Sequence, residues 1–98
     1  MTSIERIIDA MPTGEGNGIA LRDLINISGL NSERATRRMI ELIRRSGTVI
    51  CSNEQGYYYP ANIDELRQYI NTERRRAESI SITLKSAERL LAEWSEQA

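Results

Sequence analysis

Every glycine and proline of this 98-residue chain lies at or before Pro60. Residues 62–98 therefore contain nothing that stops a helix, and their apolar side chains recur at steps of three and four: Ile63, Leu66, Ile70, Ala77, Ile80, Leu84, Ala87, Leu91 and Trp94. With Ile63 as position a this is a heptad pattern whose single fault is Glu73 at d. The spacing predicts one helix roughly 45 Å long at about 1.5 Å per residue, with an apolar stripe too long to bury against a small domain. Such a stripe requires a partner helix, and the simplest partner is a second copy. A parallel pair would face Asn62 with Arg67, Tyr69 with Arg74, Arg76 with Ser81 and Thr83 with Glu88, which gains no ion pair. An antiparallel pair centred near residues 78 and 79 would instead layer Ile63 on Trp94, Leu66 on Leu91, Ile70 on Ala87 and Ala77 on Ile80, with Arg67 beside Glu88. An antiparallel homodimer with a domain at each end is therefore expected. The serines and β-branched residues of "SISITL", residues 79–84, weaken helix propensity and mark where the helix could instead fold back.

Residues 1–61 carry the turn signals and read as a domain of their own. "TSIERIIDAMP" places Ile4, Ile7, Ile8 and Met11 at helical spacing, opens on Thr2 and Glu5 as a capping box, and stops at Pro12. "TGEGNG" reads as a loop. A second helix carries Leu21, Leu24 and Ile25 up to Gly29, which can close it in the left-handed conformation. A third, over about residues 31–46, starts from Asn31 or Ser32 as cap, and Ala35, Met39, Leu42 and Ile43 form its expected inward stripe. "TVICS" and "YYYP" flank "NEQG", which predicts a β-hairpin. Asn62, with Glu65 three residues on, opens the last helix. The predicted class is mainly α (α+β): three helices, a two-stranded hairpin and a long C-terminal helix.

That order resembles a winged helix-turn-helix domain. The resemblance is carried by "LRDLINISGLNSERATRRMIELIRRSGTVICSNEQGYYYP", residues 21–60, which looks like the biotin-repressor type and still more like small winged-helix proteins of phages and prophages. It implies sequence-specific binding of double-stranded DNA by a dimeric transcriptional regulator, with the third helix in the major groove. The positions then facing DNA are Ser32, Glu33, Arg34, Thr36, Arg37, Arg38 and Glu41. Arginine can grip guanine O6 and N7 or a phosphate with its fork. Arg34, Arg37 and Arg38 are the expected base readers, and Arg44 and Arg45 the expected backbone anchors. The wing departs from the pattern. Its tip has no basic residue, Glu54 carries the wrong sign for phosphate, and only Asn53 and Gln55 remain as groove contacts.

The resemblance has competitors. Glu33 with Arg37 and Glu41 with Arg45 are i, i+4 pairs that would equally suit a solvated helix face. The near-neutral chain and a wing without basic residues also fit a protein-docking module, an adaptor in replication or an antagonist of a host factor. The charge is local, however. Residues 19–62 hold six basic against four acidic side chains, whereas residues 1–18 sum to −2 and residues 63–98 to −1. With no histidine and one cysteine, Cys51, the usual zinc sets, internal disulfides and His-dependent nucleophiles are excluded, so neither catalysis nor a cofactor or metal is expected. Apolar runs are too short to span a membrane, and "MTSIERIID" lacks the form of a signal peptide, so a cytoplasmic protein is expected.

Overall fold

The computed structural model describes residues 1–97. In chain order it comprises α1 (Ser3–Ala10), a 3-10 turn (Glu15–Asn17), α2 (Leu21–Ser28), α3 (Glu33–Arg45), β1 (Cys51–Asn53), β2 (Gly56–Tyr58) and α4 (Ile63–Gln97). The fold is mainly α with one antiparallel hairpin, as its periodicities predict. Two compact units divide it, Met1–Arg67 and the residues from Gln68 onward. The first turn of α4 thus belongs with the front unit, beyond the boundary expected at 61/62.

Each helix of the first unit begins and ends on a local chemical signal. The Thr2 hydroxyl accepts from the Glu5 amide at 3.1 Å to cap α1, and α1 stops ahead of Pro12. Gly29 closes α2 at φ 75°, in the left-handed region. Asn31 also takes a left-handed φ of 51°, so Ser32 is the residue that caps α3, accepting from the Ala35 amide at 3.1 Å. Ile7 and Met11 of α1, Leu24 of α2, Ile40 and Ile43 of α3 and Ile50 ahead of β1 form one buried cluster. Ile19, Met39, Tyr57 and Tyr59 pack around it. Tyr58 is buried as well, paired in register with buried Cys51. All three tyrosines thus pack in or against the core.

The inward face of α3 differs in phase from the expected one. Thr36, Ile40 and Ile43 are buried, whereas Leu42 is 47% exposed. Thr36 can be buried because its hydroxyl donates to the Ser32 carbonyl at 2.8 Å and needs no water.

"TGEGNG" is not a free loop. Gly14 donates to the Tyr59 carbonyl and Tyr59 to the Pro12 carbonyl, at 2.8 and 2.7 Å, while Ile19 and Tyr57 exchange both backbone hydrogen bonds at 2.9 Å. The segment between α1 and α2 is thus pinned to the second arm of the hairpin near both its ends, by a parallel bridge at Thr13–Tyr59 and an antiparallel one at Ile19–Tyr57. The hairpin turn puts its positive φ on Gly56, at 134°, rather than on Glu54 or Gln55. Gly56 is also where the hairpin backbone meets the main chain of Ile19 and Ala20.

Asn62 caps α4 as expected, its side-chain oxygen accepting from the Glu65 amide at 2.9 Å. The Glu65 carboxylate, nearly enclosed, does more than complete the box. It accepts from the Glu15 amide at 2.8 Å and from the Asn62 side chain at 3.3 Å. From there α4 runs unbroken through residues 79–84, where the Thr83 hydroxyl donates back to the Ser79 carbonyl at 3.0 Å. The fold-back considered for "SISITL" does not occur, and the Thr83 hydroxyl finds its acceptor within the helix itself. Among the described residues no helix is long and apolar enough to cross a membrane.

Burial pushes the Cys51 thiol above its ordinary value of 9.0, Arg44 pulling it back and Glu65 adding to the rise. Burial, then Asp9, likewise raises the Tyr59 phenol above 10.0. A raised folded value means that the folded chain holds the proton more tightly than the unfolded one. The resulting stability is whole below pH 9 and is lost as pH climbs through the folded values. Urea midpoints should therefore fall between pH 7 and pH 10, and fall less in Cys51→Ala; equal midpoints at both pH values would contradict this.

Candidate nucleic-acid interface

At about 100° per residue, Arg34, Arg37, Arg38, Glu41 and Arg45 fall within roughly a 100° arc of α3, and the buried Thr36, Ile40 and Ile43 lie opposite. All five outward side chains are exposed. With Glu33 at the edge, the face holds four positive and two negative charges. Their pairing divides the arginines. Arg37 makes a salt bridge to Glu33 at 3.1 Å and a hydrogen bond to the same oxygen from Nε at 3.2 Å. Arg45 lies 3.7 Å from Glu41. Both pairs are well exposed, so each is worth only a few tenths of a kcal/mol, roughly 0.3–0.5, and can be exchanged for a stronger anion. Among the described residues, Arg34 and Arg38 have no hydrogen-bond or ion-pair partner.

Several expected contact residues are committed elsewhere. Thr36 is wholly buried and cannot reach a ligand. Ser32 uses its hydroxyl as the α3 cap. Arg44, an expected backbone anchor, turns inward. Its Nε donates to the Ile50 carbonyl at 2.9 Å, its guanidinium stands 5.9 Å from the centre of the Tyr57 ring, and its side chain is only 25% exposed. The long aliphatic stem lets it brace α3 against the hairpin while its charge rests on a carbonyl and an aromatic face, with the Glu41 carboxylate 4.0 Å away.

The hairpin tip is likewise occupied. The Asn53 side chain accepts from the Gln55 and Gly56 amides at 2.9 and 3.2 Å and donates to the Glu15 carbonyl at 3.0 Å. Gln55, with its amide nitrogen turned inward, donates to the Glu15 and Gly16 carbonyls at 3.0 and 3.1 Å. Both amides thus clip the tip to the 3-10 turn, although both side chains stay exposed at the surface. The main chain of Glu15 is held from two sides, by Glu65 at its amide and by Asn53 and Gln55 at its carbonyl. No local pattern announces these links, which join residues 38 and 50 positions apart. The burial of Thr36 did have a signal, since Thr36, Ile40 and Ile43 are themselves spaced i, i+4, i+7.

Among the described residues no cluster of acidic, cysteine or histidine side chains could hold a metal ion. Along α4 the expected seam residues Ile63, Ile70, Ala77, Ile80, Leu84, Ala87, Leu91 and Trp94 are exposed, and Leu66 is half-buried. The chain matches no protein-family model, no curated protein and no solved structure.

Proposed function

We propose that this chain binds double-stranded DNA through α3 as a transcriptional regulator of the phage or prophage type, working in the bacterial cytoplasm, with its three helices and hairpin acting as a winged helix. One observation carries the reading: Arg34 and Arg38 stand side by side, free and exposed, on the face of α3 opposite its buried stripe, immediately after the Gly29–Ser32 turn. In a major groove, Arg34 and Arg38 read guanine edges, and Arg37 and Arg45 leave Glu33 and Glu41 for phosphates. Glu33 and Glu41 limit non-specific attraction, because any phosphate near them meets an acid as well as a base. The hairpin, clipped back on itself and carrying Glu54, contributes little.

The test is a mobility shift of the full chain against pooled random duplexes at about 50 and 200 mM salt, a range over which phosphate contacts weaken steeply. Arg34→Ala and Arg38→Ala should each cost about 1–3 kcal/mol, or about ten- to a hundredfold in affinity. Arg89→Ala, far along α4, should change nothing. Absence of binding at low salt, or binding indifferent to both α3 substitutions, would sink the proposal. It would favour the docking-module reading, which the acidic tip supports.

A further inference from the structure

Independently of any DNA, the second unit carries an apolar stripe with nothing on it. Ile80, Leu84, Leu91 and Trp94 are each more than half exposed, Ala77 and Ala87 are exposed between them, and all six occupy a and d positions of consecutive heptads. Ile80, Thr83, Leu84 and Ala87 surround a shallow apolar hollow. Their spacing, i, i+3, i+4, i+7, is that of the four residues that receive a knob from a facing helix.

We propose that residues 77–94 are a self-complementary seam that pairs with the same residues of a second copy, antiparallel and centred between positions 85 and 86. Reversing the stretch on itself gives six layers: Ala77 on Trp94, Ile80 on Leu91, Leu84 on Ala87, and the same three again. Every layer is apolar, the largest side chain meets a small one, and the Ala87 knob enters the hollow beside Leu84. The flanks bring Arg74 to Ser95, Ser81 to Glu88, Arg76 to Gln97 and Thr83 to Leu90, so no like charges meet.

The alternatives are poorer. The longer antiparallel register expected from the heptads alone, centred near residues 78 and 79, sets Glu73 against Leu84 twice, placing a carboxylate in an apolar layer. It also calls on Leu66, which is half-buried within the single chain. A parallel pair stacks Glu73 on Glu73 and leaves Ala77 and Ala87 facing themselves while Trp94 meets Trp94. The exposed stripe amounts to on the order of 500 Å² per copy, so a pair covers on the order of 1,000 Å², the lower bound for a specific interface. A weak, concentration-dependent dimer follows.

The full chain should move from 11.2 kDa toward twice that mass in light scattering as concentration rises. The single tryptophan, Trp94, should shift its emission to the blue over the same range as it is covered. Leu84→Arg should hold the chain at the monomer mass with its helix content unchanged. Ser81→Arg fixes the register. In the proposed seam it faces Glu88 twice and should tighten association about fivefold, the effect of two exposed ion pairs, and adding Glu88→Gln should remove that gain. In the longer register position 81 faces Arg74, and in a parallel pair it faces Arg76, so either arrangement would be weakened instead. A wild-type chain that stays at monomer mass at the highest soluble concentration, or a Ser81→Arg chain that associates less well, overturns the proposal.

Discussion

Replacing Gly56 with alanine should cost at least about 3 kcal/mol, enough to leave the front unit largely unfolded if its total stability is near the lower end of the usual 5–15 kcal/mol. Two effects coincide there. The residue holds φ at 134°, a conformation that an L side chain rarely adopts, and a Cβ would overlap the Ile19 carbonyl and approach the Ala20 nitrogen to 2.9 Å. The obstacle is main chain, so no rotamer change relieves it. β2 would have to lift away from Ile19 and forfeit the paired Ile19–Tyr57 hydrogen bonds that seat the hairpin on the segment between α1 and α2. Gly16→Ala is the matched control, since a Cβ there meets nothing within 4 Å. Urea titrations followed by circular dichroism should separate the two variants clearly, and a Gly56→Ala midpoint within error of Gly16→Ala would contradict the account.

The phase of α3 gives the second large effect. Ile40 is 1% exposed in the cluster shared by α1, α2 and α3, so Ile40→Ala should cost about 2–5 kcal/mol, lost burial and residual cavity together. Leu42 is the same size but lies at the edge of the helix, and Leu42→Ala should cost under about 1 kcal/mol. The difference between the two is the measurement. A helix turned as its apolar residues alone suggest, with Leu42 inward, would reverse the order.

That rotation marks where local pattern stops being sufficient. Helix starts and stops were legible because each is a short-range event: Thr2 on Glu5, Gly29 in the left-handed region, Asn62 on Glu65. The hairpin was legible from β-branched and aromatic runs about a glycine. The inward stripe departs from the apolar pattern because Thr36 passes its hydroxyl to its own helix and packs as a small apolar side chain. Arg44 departs in the converse way, its charge carried on a stem long enough to reach an acceptor and a ring within the fold. The partners of Asn53 and Gln55 lie in the 3-10 turn, and a link between segments so distant in sequence leaves no periodic trace. Of the candidate interface, then, the exposed arginines of α3 were visible in advance, and the commitments of their neighbours were not.

The Glu65 carboxylate has a practical corollary for anyone dividing the chain. A cut after Asn62, which the composition of the chain invites, would sever the side chain that holds the Glu15 amide and closes the cap of α4. The 3-10 turn, and with it the clipped hairpin tip, would lose its rear support. A transplantable front module must carry the first turn of α4 with it and end no earlier than Arg67, where the first compact unit itself ends. The first turn of α4 is thus a working part of the front unit, and a module cut without it loses the clasp that holds Glu15.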